Sequence, residues 1–294
     1  MKNFLFLIFA IFAVLAFAVS CGSAPSPAVT APPPPVPPPS QVDTSPPDLS
    51  VRLSPVPFSP DGDGVDDVLT VNIGVNSKSD IKGWRIEIRE PGNLLFSEWN
   101  GNGMPPQTFT WDGLSRTGEL VQSATDYQFT LDVTNIHDNA STYRGTIQVD
   151  VLVRREAGGV LRVIVPSIVF AADTGNLRGS SSDVMAANDR ILRRIAEVLE
   201  RYPGYQIKVE GHANPTTAPG TQARVNEEAG TSTVKGLRTL SEDRARAVID
   251  YLVSLGIARA RLSPIGMGGT QPVAAFTDRD NWWKNRRVEF ILVR

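Results

Sequence analysis

One cysteine and two histidines in 294 residues exclude more than they permit. A single thiol, Cys21, cannot form an internal disulfide. His137 and His212 are far apart in sequence, which argues against a histidine-paired metal centre and against histidine-based catalysis. No nucleophile–base motif is present, so the chain reads as non-enzymatic. Basic excess is also missing. The formal net charge is −2, whereas proteins that neutralise phosphates carry a surplus of Lys and Arg, so nucleic acid is not an expected partner. Long apolar runs are scarce as well. The one that stands out, Phe4 to Ala18, falls short of the roughly twenty residues a spanning helix needs.

That run follows Lys2 and ends at Ala18-Val19-Ser20-Cys21, the layout of a secretory signal with small residues before the cleavage point. The four residues resemble the lipobox of bacterial lipoproteins, with Ala18 where leucine is usual. The resemblance implies removal of residues 1–20 and acylation of the Cys21 thiol. Several acyl chains anchor stably because each buried methylene contributes about 0.8 kcal/mol. Gly22, where an aspartate would signal otherwise, implies the periplasmic face of the outer membrane. Residues 21–48 then form a linker; eleven of the 23 prolines lie between Gly22 and Asp48. Such a segment takes up extended polyproline II at about 3.1 Å per residue and acts as a spacer.

From residue 49 to 155 the apolar residues alternate with period two. Trp84, Ile86 and Ile88 oppose Arg85, Glu87 and Arg89, and Tyr127, Phe129, Leu131 and Val133 repeat the pattern. Turn signals such as Asn100-Gly101 and Asp112-Gly113 separate the runs. Short strands with frequent turns predict an all-β, Ig-like sandwich of roughly seven strands. The stretch from Trp84 through Trp111-Asp112-Gly113 to Tyr127 resembles the Ig-like domain of flagellar hook-capping proteins, which implies a spacer or a contact module for other envelope proteins. Within this region Asp61-Gly62-Asp63-Gly64-Val65-Asp66-Asp67 carries closely spaced carboxylates. Calcium takes six to eight oxygen ligands, and Asp61, Asp63 and Asp66 or Asp67 are candidates for several. The alternative is a turn in which the aspartates cap neighbouring amides.

From residue 160 to 294 the pattern becomes alternating strands and helices. Strands are expected at Leu161–Phe170, Tyr205–Gly211, Arg261–Met267 and Val288–Val293. Helices are expected at Val184–Tyr202 and from a capping box at Thr239-Leu240-Ser241-Glu242. Ala157-Gly158-Gly159 suggests a hairpin joining the two regions. The whole is an α/β sandwich of βαβαββ order.

Three stretches carry a further resemblance: Val209-Glu210-Gly211-His212-Ala213-Asn214, Leu240-Ser241-Glu242-Asp243-Arg244-Ala245 and Asn285-Arg286-Arg287-Val288-Glu289. In this order they resemble the signatures of OmpA-like domains. The resemblance implies a non-covalent peptidoglycan binder that grips the zwitterionic diamino acid of the stem peptide, an arginine facing its carboxylate and an aspartate its ammonium. The arginine maps to Arg244. The aspartate position holds Asn214, which brings no charge, and the 26 steps from Asn214 to Leu240 exceed the family's usual spacing. Either Glu227 or Glu228 replaces the missing acid, or the inserted loop covers the pocket. The expected function is a lipoprotein tethering the outer membrane to peptidoglycan; the alternative is a scaffold lipoprotein whose OmpA-like domain no longer binds it.

Overall fold

The computed structural model describes residues 44–177 and 181–294. Cys21, the signal segment and the proline stretch up to residue 43 lie outside the described residues. Among the described residues no helix is long and apolar enough to cross a membrane.

The first region forms two packed antiparallel sheets. Strands β1 (Asp48–Ser54), β2 (Leu69–Asn76) and β5 (Thr108–Trp111) make a three-stranded sheet in the order β1-β2-β5. Strands β3 (Ile81–Glu90), β4 (Leu94–Asn102), β6 (Asp126–Asn135) and β7 (Ala140–Gln148) make a four-stranded one, ordered β4-β3-β6-β7. Period-two alternation dictates this layering, because successive side chains leave a strand on opposite faces. On β6 every inward residue, Tyr127, Phe129, Leu131 and Val133, is wholly buried. Each such side chain contributes about 1.5–3 kcal/mol of burial. Phe58 and Trp111 close the core, their rings 5.7 Å apart. The sandwich expectation therefore holds, with seven strands in the two sheets.

The second region is a five-stranded sheet of order β11-β10-β12-β9-β8, from β8 (Arg154–Arg155), β9 (Leu161–Val165), β10 (Gln206–His212), β11 (Leu262–Gly268) and β12 (Val288–Val293). Only β10 and β11 run parallel. Helices α1 (Ser182–Glu200) and α3 (Leu237–Ser254) flank it, and a short helix α2 (Gln222–Ala229) lies in the connection between β10 and α3. The buried stripe of α1 runs through Ile191, Leu192, Ile195, Val198 and Leu199, the i, i+3, i+4 spacing of one helical face. The mixed α/β expectation holds.

Three local readings change. The hairpin at residues 157–159 forms, but both its arms belong to the second sheet, where Arg154 pairs with Arg162. Strand β9 ends at Val165, before the expected Phe170, where the chain turns back and Asn188 of α1 takes up Val169 through two hydrogen bonds (3.0 and 2.7 Å). Helix α3 starts a turn before the expected capping box, with Gly236 at its N-cap. Ser241 thus sits inside the helix, donating to the Arg238 carbonyl (2.9 Å) and accepting from the Gly268 amide (2.8 Å). Its hydroxyl serves strand β11 instead of a helix end.

The two regions are fastened by polar contacts. Arg194 of α1 clasps Asp150 through two bonds (2.7 and 2.6 Å), and Lys284 pairs with Glu90 (3.0 Å).

Candidate functional site

The ends of β10 and α3 meet because glycine lets them. A Cβ on Gly211 would lie 1.9 Å from the Ser241 carbonyl oxygen, and one on Gly266 would lie 2.2 Å from that of Arg238. Only glycine permits this approach of strand and helix backbones. It brings the stretch ending at Asn214 beside Arg244.

Beside Arg244 lies a cavity of about 630 Å³. Asp173, Asn214, Glu227, Lys235, Arg244 and Arg286 contribute its polar lining. The inserted segment between β10 and α3 forms one wall of this cavity, so the loop bounds the space beside Arg244 and leaves it open. The segment holds itself in place by its own hydrogen bonds. Glu227 accepts from the Thr216 amide (2.8 Å) and hydroxyl (2.7 Å) and from the amide (3.1 Å) and hydroxyl of Thr217. Burial alone would raise its pKa, but these four donors outweigh it and hold the carboxyl below the ordinary range. Glu228 accepts from the Gly269 amide (2.9 Å), and burial pushes its pKa up. Both carboxylates are thus spent on loop structure.

Arg244 donates to the Thr174 carbonyl (3.2 Å), and its guanidinium carbon lies 5.2 Å from the centroid of the Phe170 ring. Burial and then the nearby Arg286 charge lower its pKa, with Asp173 opposing them. Two cations sharing a cavity favour an anion between them. Asn214 is bonded at both polar atoms: its amide nitrogen donates to the Pro215 carbonyl (3.1 Å), and its oxygen accepts from Asn285 (2.9 Å). Sequence reasoning missed Asp173. It stands forty-one positions before Asn214 in the chain, and only the fold carries it to the cavity, where its exposed carboxylate sits within electrostatic reach of Arg244. Its left-handed backbone, with φ at 54°, gave no separate signal in the pattern.

Arg286 lines the cavity, whereas Arg287 turns inward and pairs with Glu289 (2.6 Å). Glu210, His212 and Glu289 form a cluster with ligand-like spacing. His212 is 2% exposed, its ring nitrogens have no hydrogen-bond partner, and Nε2 lies 3.5 Å from Glu289 and 3.9 Å from Glu210. Burial, then the Arg287 charge, push its pKa down to about 4. Both Glu289 oxygens already meet a guanidinium, from Arg287 and from Arg162. Two fixed positive charges fill the electrostatic role a metal ion would have, and the cluster is a structural charge network.

In the sandwich, the carboxylates of Asp61, Asp63 and Asp67 gather within 4.8 Å of one another; Asp66 is not among them. Asp67 accepts from the Gly62 and Gly64 amides (2.7 Å each), Asp63 from Val65 (2.8 Å) and Asp61 from Asp63 (3.3 Å). Burial and the two neighbouring carboxylates raise the pKa of Asp61 against the bonds it accepts.

The second region has relatives among known proteins. The OmpA family model matches residues 178–286. A peptidoglycan-associated lipoprotein of Pseudomonas putida is 33% identical over 134 residues, covering 42% of this chain and 76% of the relative. One from Mesorhizobium japonicum is 37% identical over 121 residues, covering 41% and 59%. Another, from Agrobacterium fabrum, is 35% identical over 112 residues, covering 38% and 55%, so the chain spans little more than half of those last two relatives. With the mixed sheet, the glycine-permitted strand–helix contact and the three signature stretches in place, the chain belongs, through its C-terminal region, to the OmpA family.

Proposed function

We propose that the protein is a non-enzymatic lipoprotein that binds peptidoglycan non-covalently and tethers the outer membrane to it through acylated Cys21. The observation that carries this reading is the open cavity beside Arg244. A ligand carboxylate would lie between Arg244 and Arg286, where a planar guanidinium suits two-point recognition. The ligand's ammonium would face Asp173, because Asn214 is neutral and already bonded on both its polar atoms. Asn214 then serves as a wall of the site. A zwitterion such as the diamino acid of the stem peptide meets one charge of each sign in this arrangement. The relatives named as peptidoglycan-associated lipoproteins support the same ligand class.

Co-sedimentation with purified sacculi tests the reading. Wild type should pellet with the wall, and Arg244→Ala should stay in the supernatant. Equal retention of both would remove Arg244 from the site. The second reading, a scaffold lipoprotein, is favoured by the bonded Asn214 and is the conclusion if neither protein is retained.

In the sandwich, which resembles the Ig-like domain of hook-capping proteins and suits contacts with other envelope proteins, Asp61, Asp63 and Asp67 are the proposed calcium ligands. Three converging carboxylates supply hard oxygen donors, and a cation would relieve the repulsion that raises Asp61.

A further inference from the structure

The two regions meet a second time at Lys284. Its side chain is 8% exposed, and its ammonium lies 3.0 Å from Glu90 at the end of β3 and 2.8 Å from Glu119, both in the sandwich. Glu90 is 6% exposed, and burial raises its pKa against the pull of Lys284. The Trp283 ring lies 5.5 Å from the same ammonium. A lysine enclosed in this way is held by its partners, since a buried charge left alone is expensive.

What makes this anchor informative is its neighbours in sequence. Asn285, the next residue, accepts from the amides of Val273 and Ala274 (2.8 Å each) and donates to the Ala274 carbonyl (3.1 Å) and to Asn214 (2.9 Å). The residue after that, Arg286, lines the same cavity as Arg244. Lys284, Asn285 and Arg286 therefore reach, one after another, into the sandwich, onto Asn214 and into the ligand cavity.

We infer that the sandwich is a working part of the ligand site: Glu90 and Glu119 hold Lys284, and Lys284 positions Asn285 and Arg286 at the cavity. Lys284 is a positioning residue in this arrangement and touches no ligand. The inference rests on the peptidoglycan reading for the ligand, and on geometry alone for the positioning. It implies that a partner or a mechanical load acting on the sandwich near Glu119 changes the grip on the wall. Coupling of this kind travels through packed, hydrogen-bonded chains with modest energies.

The test uses the full chain in detergent and two readouts. The first is the affinity for a soluble disaccharide-tripeptide containing diaminopimelate; the second is hydrogen exchange at the Val273 and Ala274 amides, which report whether Asn285 is in place. Lys284→Met strands Glu90, so the paired variant Lys284→Met/Glu90→Gln removes both buried charges and spares the fold an unpaired one. It should bind about tenfold more weakly and exchange those amides faster, while Lys284→Arg should remain close to wild type in both. Unchanged exchange in the paired variant overturns the inference, as does faster exchange with unchanged affinity. If wild type binds no such peptide, the ligand reading fails, and the exchange readout still decides whether the sandwich positions this segment.

Discussion

Among the described residues, two clusters share a similar ligand spacing, and their surroundings give them opposite characters. Asp61, Asp63 and Asp67 sit on a surface loop of the sandwich, where glycine-permitted turns aim backbone amides at them. Glu210, His212 and Glu289 sit at the heart of the second region, where Arg162 and Arg287 compensate the acids. The first has converging negative charge, and residues 59–67 of its loop contain no Lys or Arg to neutralise it. The second is already neutralised from inside the protein. Donor spacing alone therefore does not define a metal site; the charges that surround the donors do.

Breaking the buried cluster should have the largest effect. Glu289→Ala leaves Arg287, whose side chain is 4% exposed, without its acid, and breaking a buried pair costs about 3–5 kcal/mol. Chemical denaturation should show a loss of that order, and a loss under about 1 kcal/mol would mean the network is not structural.

The same cluster should give the protein a pH dependence. The His212 pKa is depressed from 6.5 to about 4 in the folded state, so the unfolded chain takes up its proton first. The neutral imidazole contributes stability that is fully present above about pH 6.5 and is lost progressively as the pH falls toward 4. The shift corresponds to about 3 kcal/mol. Stability measured against pH should be flatter across this window in His212→Gln than in wild type, and parallel curves would remove His212 as the cause.

The surface cluster should respond least to mutation and most to ion. Asp63→Ala without calcium should change stability by about 1 kcal/mol or less, the worth of one exposed hydrogen bond. Millimolar calcium should raise the melting temperature of wild type and leave that of Asp63→Ala in place. If calcium moves neither, the loop is a set of amide-capping turns.

The contrast also separates what was legible in the sequence from what was not. The inward row Tyr127, Phe129, Leu131 and Val133 and the α1 stripe were readable because burial imposes a period on the chain. Helix α2 was not, since it buries no residue and so carries no apolar stripe. The start of α3 was hidden because a glycine at its N-cap leaves no side-chain cap to recognise. Arg244 and Asn214 were identified through their signature stretches. Asp173, and the link from Glu90 to Lys284 across 194 positions, come from tertiary packing that no local pattern encodes. The roles of Glu227 and Glu228 could be narrowed only once Thr216, Thr217 and the Gly269 amide were seen to occupy them.

The most direct test of the central claim is a calorimetric titration of the full chain with a disaccharide-tripeptide containing diaminopimelate. Wild type should bind, Arg244→Ala should lose at least tenfold in affinity, about 1.4 kcal/mol, and Asp173→Asn should weaken binding while Asn214→Ala changes it less. Binding that is indifferent to Arg244 and Asp173, or no binding by wild type, would contradict the account.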